Sequence, residues 1–378
     1  MNLQRTRAVA RKELRHIIRD PLSLGMALAV PVLMLLLFGF ALSLDVDRIP
    51  TLIYDADHSA ESRELIRRFQ GSRFFQVEGF VSDYRTIEKA IDSGRILMAI
   101  VIQRDYSKHV NAAKEADVQI LVDGSDSNTA SIAKGYAESV VAQYAREVRG
   151  IALNRKGAGP GGAPPVDTAL RIWYNPQLES KNYIVPGLIA VIMMIIAALL
   201  TSLTIAREWE MGTMEQLLST PLRPAELVMG KMLAYFVVGF ADMIIVITAG
   251  LTVFQVPLRG NVLLLLATGC VFLFGSLFWG ILLSATMKNQ LLAYQMGIIT
   301  SFLPSFLLSG FIYSIESMPK VIQVVTFIVP ARYFVTILKG IYLKGIGVRV
   351  LWEDILFLVI FTALVFWRAT RKLEEKLA

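Results

Sequence analysis

Five stretches of this chain run for 23 residues or more with almost no charge: Leu22–Leu44, Tyr183–Ile205, Met232–Val256, Val262–Met287 and Leu291–Ile315, which are charge-free except for Asp242. An α-helix rises 1.5 Å per residue and a bilayer's apolar core is about 30 Å thick, so about 20 such residues cross it. The pattern dictates a membrane protein built of helices. Composition agrees, with a mean hydropathy of +0.53 and 18% charged residues, where soluble chains carry about a quarter. A sixth span is expected at Ile355–Trp367, a 13-residue run with Trp352 and Trp367 suited to the two interfaces and Arg368, Arg371 and Lys372 following as an anchor.

Charge sets the orientation. Arg5, Arg7, Arg11, Lys12, Arg15 and Arg19 precede the first run, as the preference of cytoplasmic flanks for Lys and Arg requires. Six spans place both basic ends in the cytoplasm. The cytoplasmic set, completed by Arg207, Arg223, Lys231, Lys288, Arg368, Arg371, Lys372 and Lys376, then holds fourteen bases. The short outer loops hold six: Arg259, Lys320, Arg332, Lys339, Lys344 and Arg349. The same placement explains the net charge of +7 without nucleic acid. A basic segment before an apolar run also resembles a signal peptide, with Ala41-Leu-Ser43 as a faint cleavage site, but 23 residues exceed the usual apolar region of about 7–15.

Residues 45–180 change character to a soluble α/β pattern, expected outside the membrane. Ile49–Tyr54, Phe75–Phe80, Ile96–Ile102 and Val118–Val122 read as strands, and Ser59–Gln70, Asp83–Ser93 and Asn128–Leu153 as helices. A Gly/Pro linker follows at 157–165, then a short strand over Arg171–Tyr174. Met318–Leu343 is apolar but interrupted by Pro330-Ala-Arg332, which suits a re-entrant hairpin better than a span.

Little of the chain promises catalysis. It has no phosphate-cradling G-x-x-x-x-G-K-[ST] sequence, and His16, His58 and His109 lack metal-ligand spacing. Ser131-Ile-Ala-Lys134 and Ser317-Met-Pro-Lys320 match only a bare S-x-x-K. Asp123-Gly-Ser-Asp-Ser-Asn128 lacks the glycine placement and closing glutamate of a calcium loop and reads as a turn. The single cysteine, Cys270, excludes an internal disulfide. The expectation is no enzyme, no metal and no cofactor bound by this chain.

The remaining features are mechanical. Residues 2–19 place Leu3, Ala10, Leu14, Ile17 and Ile18 on one side of a helix that lies in the membrane surface, as a topology anchor or a docking surface as well. Asp242 sits near the middle of its span, where a charge is costly and meets a neighbouring helix, the transport path or a coupled ion. Between two spans lies Arg207-Glu-Trp-Glu-Met-Gly-Thr-Met-Glu-Gln-Leu-Leu-Ser-Thr-Pro-Leu222. Gly212 breaks the helix, Thr213 caps a new one, Met214, Leu217 and Leu218 form its apolar face, and Pro221 ends it. Glu208, Glu210 and Glu215 are expected to face the cytoplasm and a basic soluble partner.

At these residues the sequence resembles the ABC-2 type permeases, the membrane subunits of bacterial ABC exporters, and within them the multidrug-efflux-like subgroup with a large extracytoplasmic domain. The resemblance is carried by Arg11-Lys-Glu-Leu14, Ile18-Arg-Asp-Pro21, Arg207–Pro221 and Leu308-Ser-Gly-Phe-Ile-Tyr-Ser-Ile-Glu-Ser-Met-Pro319. Pro330-Ala-Arg-Tyr-Phe334 and Leu338-Lys-Gly-Ile-Tyr-Leu-Lys-Gly345 complete it, in this order over nearly the whole chain. Ser314 departs from the proline frequent in relatives.

The resemblance implies an ABC-2, or type V exporter-like, fold: membrane all-α with six transmembrane helices and an inserted extracytoplasmic α/β domain. Residues 1–20 would be the connecting helix, 21–44 the first span, 181–368 the remaining five and 369–378 a cytoplasmic tail. The coupling helix would lie in 207–222, with Arg207, Glu208, Glu210, Gly212, Thr213, Glu215, Leu217 and Leu218 as its working residues. Pro319, Pro330 and Arg332 would belong to outer re-entrant helices over 318–343. It also implies an inner-membrane location and an ATP-binding cassette ATPase subunit carrying the ATP and Mg. A second permease, a copy or a paralogue, is implied too, with a periplasmic adaptor in many relatives and membrane lipids around. Amphipathic drugs or lipids are the substrates such apolar spans suit. The alternative from another class is a membrane-anchored sensor or adhesion protein that uses residues 45–180 to bind.

Overall fold

The computed structural model describes residues 2–42, 48–112, 114–155, 174–175, 179–287 and 289–377. The chain divides into two compact units, residues 1–43 with 172–378, and residues 44–171.

The chain begins with α1 (Leu3–Arg19), opened by Asn2, whose side chain accepts from the Gln4 amide. Its buried face is Thr6, Val9 and Glu13, while Leu3 and Ile18 stay exposed. The packing stripe is therefore offset from the expected apolar stripe, because a neighbouring helix takes the mixed face. α2 (Pro21–Ala41) is apolar all round, and only 17% of its apolar window is buried within the protein. That exposure suits a peripheral helix against lipid.

The second unit is a four-stranded sheet of β1 (Ile49–Asp55), β2 (Phe75–Phe80), β3 (Met98–Ile102) and β4 (Val118–Val122), in the order β2-β1-β3-β4. β1 runs parallel to β2 and β3, and β4 closes one edge antiparallel. β3 is buried along its whole Met-Ala-Ile-Val-Ile length, as an inner strand covered on both faces must be. Four helices accompany the sheet: α3 (Ala60–Gln70), α4 (Tyr84–Asp92), α5 (Tyr106–Asn111) and α6 (Ser127–Arg155). Ser59 and Ser62 exchange hydrogen bonds at the start of α3, and Asp83 caps α4 through the Thr86 amide. Asp123 closes a turn by accepting from the amide and hydroxyl of Ser125. The expected linker at 157–165 lies outside the described residues, as does most of the strand expected at 171–174.

In the first unit α7 (Ser180–Ser202) is the central helix, with 83% of its apolar window enclosed by neighbours. It continues into α8 (Thr204–Glu210) and the short α9 (Thr213–Leu218). Then come α10 (Pro224–Thr252), with proline at its first position, α11 (Val262–Met287) and α12 (Gln290–Leu307), capped by Asn289. A 3₁₀ turn at Ile315–Ser317 leads into α13 (Lys320–Thr326) and α14 (Pro330–Lys339), bent by 84° from each other where Pro330 prevents continuation. A π-helical turn, Gly340–Lys344, precedes α15 (Val348–Leu377).

Among the described residues five helices are long and apolar enough to cross a membrane, and six if the bent pair is one crossing. Two expectations change. The fifth span, expected over Leu291–Ile315, ends as a helix at Leu307; its 18 residues reach only about 27 Å, and it is not one of the five. The last span is not 13 residues but part of the 30-residue α15, whose length the flanking Arg349, Glu353, Asp354 and Arg368 conceal in a hydropathy reading.

Candidate coupling interface

The elbow between α7 and α10 is assembled from its backbone outward. Gly280 on α11 lets α7 approach so closely that a Cβ there would collide with Thr201 and the Ala198 carbonyl. Thr201 donates to the Leu277 carbonyl at 2.9 Å. One turn further, the Ser284 hydroxyl accepts from the Ile205 and Ala206 amides, both at 2.9 Å. These are first-turn donors of α8 that the helix itself cannot satisfy. The end of α7 nearest the elbow is thus tied to α11 at two levels.

Glu208 does not face solvent, contrary to the sequence expectation. Only 7% of it is exposed, and its Oε1 lies 2.9 Å from Nζ of Lys231 on α10 and 3.1 Å from Nζ of Lys12 on α1. Glu13 of α1 completes the group, 3.0 Å from Lys231 and 3.1 Å from Lys12. Two carboxylates and two ammonium groups sum to zero, which is how buried charges become tolerable. Burial alone would push the Glu13 carboxyl up, but Lys231 and then Lys12 outweigh it and hold Glu13 below the usual carboxylate range. Lys12 is likewise raised despite partial burial, because Glu13 and Glu208 favour its charge.

α1 is fastened beside the elbow at further points. A Cβ on Gly230 of α10 would lie 2.6 Å from that of Val9, so the two helices meet there without spacing. The Asn2 amide donates to Glu226, whose other oxygen accepts from the Arg223 amide, and Arg5 donates to the Pro221 carbonyl. On the opposite flank, Gln290 at the start of α12 holds two expected residues at once. Its side-chain carbonyl accepts from Arg207 Nε at 3.4 Å, and its backbone amide donates to Glu210 at 2.9 Å.

What remains exposed is the tip. Gly212 turns the chain with φ +69°, a conformation that costs other residues dearly, and it rather than Thr213 occupies the capping position of α9. Thr213 is the first helical residue and donates to the Glu208 carbonyl at 3.3 Å. Met214 is fully buried and Leu217 partly so, anchoring α9, while the Leu218 side chain lies outside the described set. Glu210, Met211, Gly212, Thr213 and Glu215 lie on the surface. Sequence reasoning missed Lys12, Glu13, Lys231, Ser284 and Gln290 as members of this site.

The other expected site residues lie elsewhere. Asp242 on α10 is 4% exposed, and neither carboxylate oxygen has a hydrogen-bond partner among the described residues. Pro319 precedes α13 and Pro330 opens α14. Arg332 donates to the Thr326 hydroxyl and stacks 4.0 Å from the centre of the Phe327 ring, pinning the bend between the two. Among the described residues no cluster of His, Cys, Asp or Glu could hold a metal.

The family described as ABC-2 family transporter protein matches residues 22–371. The chain is 35% identical over 380 residues to the Escherichia coli (strain K12) protein named "Probable multidrug ABC transporter permease YbhS", covering 99% of each. It is 32% identical to "Probable multidrug ABC transporter permease YbhR" of the same strain, over 93% of this chain and 94% of that one. It is 26% identical to that strain's "Inner membrane transport permease YhhJ", over 92% and 91%. A family model matched over residues 22–371, with relatives 35% and 32% identical over more than nine-tenths of each chain, makes this chain a member of the ABC-2 family of transporter proteins.

Proposed function

We propose that the chain is the permease subunit of an ATP-driven exporter, and that the tip of the α8–α9 elbow is where an ATPase subunit pushes. The observation that carries this is the elbow's division of charge. Its inner acid, Glu208, is neutralised by α1 and α10, while Glu210 and Glu215 stay on the surface beside Gly212. Such a surface suits a basic groove, where charge matching sets register. A push on α9 passes to α8 through Met214 and Thr213, and to the base of α7 through the Ser284 and Thr201 contacts. α7 then tilts as one body with α1, and each state of the pathway acquires its own contacts.

In this reading both termini are cytoplasmic, residues 45–180 face outward and can meet an adaptor, and a second permease completes the path. The relatives' names, with the apolar spans, favour amphipathic drugs or lipids as cargo in a bacterial inner membrane. Because Glu208 is structural, the test of coupling reverses the surface acids alone. Glu210→Lys with Glu215→Lys should leave the protein inserted and the ATPase bound or active, but abolish stimulated export by the reconstituted complex. Export at the wild-type rate would overturn the coupling role. Failure to co-purify any P-loop ATPase in mild detergent would favour the sensor alternative.

A further inference from the structure

At the end of α7 remote from the elbow, one carbonyl is shared by three elements. The Gly310 carbonyl accepts from the Tyr183 hydroxyl at 3.0 Å and from Lys339 Nζ at 2.9 Å. The same ammonium lies 3.4 Å from the centre of the Tyr183 ring. Tyr183 belongs to α7, Gly310 to the turn after α12, and Lys339 to the last turn of α14. We infer that Lys339, Tyr183 and Gly310 form a latch that closes the outer mouth of the pathway, and that its release is a step of transport. This rests on the exporter reading above.

The acceptor is fixed in place before the donors reach it. Gly310 holds φ +76°, which aims its carbonyl in a way an L side chain rarely permits. The next residue, Phe311, is 1% exposed and lies flush on α7, where a Cβ on Gly187 would collide with its ring. Two donors fill the two acceptor positions of that carbonyl, so parting any of the three elements breaks at least one of the contacts.

The chemistry also favours release. Among the described residues Lys339 has no carboxylate partner, and its charge is held by a carbonyl dipole and a ring face. Both hydrogen bonds to the Gly310 carbonyl are only partly buried, so water can replace the carbonyl and the ring once the mouth opens, at little cost to an ammonium that has no opposite charge to leave behind. A buried ion pair would strand its second charge on opening, as the Lys231 group would. The latch therefore holds three elements together while leaving no stranded charge when it parts, a two-state element that tilting of α7 can bias.

Ser309, 2% exposed with its hydroxyl unpartnered among the described residues, precedes Gly310 and supplies a reporter. In a Cys270→Ser background, Ser309→Cys is labelled with a polar maleimide in membranes of lysed cells, where both faces are reached. Lys339→Met keeps the stem volume and removes the charge, and should speed labelling on the order of tenfold. Tyr183→Phe removes one hydroxyl and should speed it about threefold. Lys339→Arg, which both donates and stacks, should label at the parent rate. A parent-like rate for Lys339→Met means simple packing and overturns the latch, as does Lys339→Arg labelling as fast as Lys339→Met. The labelling needs neither ATPase nor cargo, so failure of the latch and failure of the exporter reading are told apart.

Discussion

Glu208 and Asp242 are both carboxylates withdrawn from water in the same helical unit, yet among the described residues one meets two ammonium groups and the other meets none. The difference separates two uses of a buried charge. Glu208 closes a neutral group of four that fixes α1 against α8 and α10. Among the described residues Asp242 replaces its hydrogen bonds to water at neither oxygen, a loss in either protonation state, whereas Glu208 leaves only Oε2 without a partner. The first acid supports the architecture; a neutral side chain would serve the fold at least as well at the second.

The largest effect that tests this contrast is at Lys231, whose side chain is 1% exposed. Lys231→Met would leave Glu13 and Glu208 sharing only Lys12. Breaking a buried pair from one side costs about 3–5 kcal/mol, so thermal unfolding in detergent should shift far down or the chain should fail to accumulate. Retained wild-type stability would mean that the cluster does not hold α1.

Asp242→Asn keeps the shape and a polar group with no more partners, so stability should stay about unchanged, while Asp242→Leu removes the buried polar group and should raise stability by about 1–3 kcal/mol. A loss as large as that for Lys231→Met would break the comparison, by revealing a partner that the described residues do not supply. Export by the same variant adds a second reading: full transport with Asn and with Leu at this position leaves Asp242 no role in the pathway.

Much of this was legible in the chain, and the remainder has identifiable causes. The membrane-length helices α7, α10 and α11 followed from apolar runs interrupted only by Asp242, and the elbow from Gly212 and Pro221, residues whose backbone limits act locally. The α/β unit was legible because strand and helix periods differ within a few residues. Glu208 was misplaced because one partner, Lys12, lies 196 residues away in sequence, where it read as one of the N-terminal bases and, with Glu13, as part of Arg11-Lys-Glu-Leu14. An acid at the cytoplasmic end of a span reads as solvent-facing unless its lysines are known. α15 was shortened by its own charged flanks, and the buried stripe of α1 was hidden because a mixed face, Thr6, Val9 and Glu13, packs better on Gly230 than an apolar one would.

The smallest effect lies within the cluster itself and sharpens the contrast to its two lysines. Lys12 makes the same two contacts as Lys231, but 58% of its side chain is exposed. Water screens such a pair, so Lys12→Met should cost less than about 1 kcal/mol at neutral pH. Its signature is in the pH dependence. Glu13 is held below its usual pKa in the folded protein, so its contribution is present above the unfolded value and lost as pH falls through the folded one. Without Lys12 only one adjacent cation remains, and the Glu13 pKa moves back up. Thermal unfolding of the variant between about pH 3 and 7 should therefore begin to weaken at a higher pH than the parent. At the alkaline end the parent should also lose the Lys12 contribution, which the variant lacks, as Lys12, raised by its two acids, gives up its proton. Identical acid limbs for parent and variant would show that Lys231 alone sets Glu13, and that the exposed lysine is a bystander to the joint.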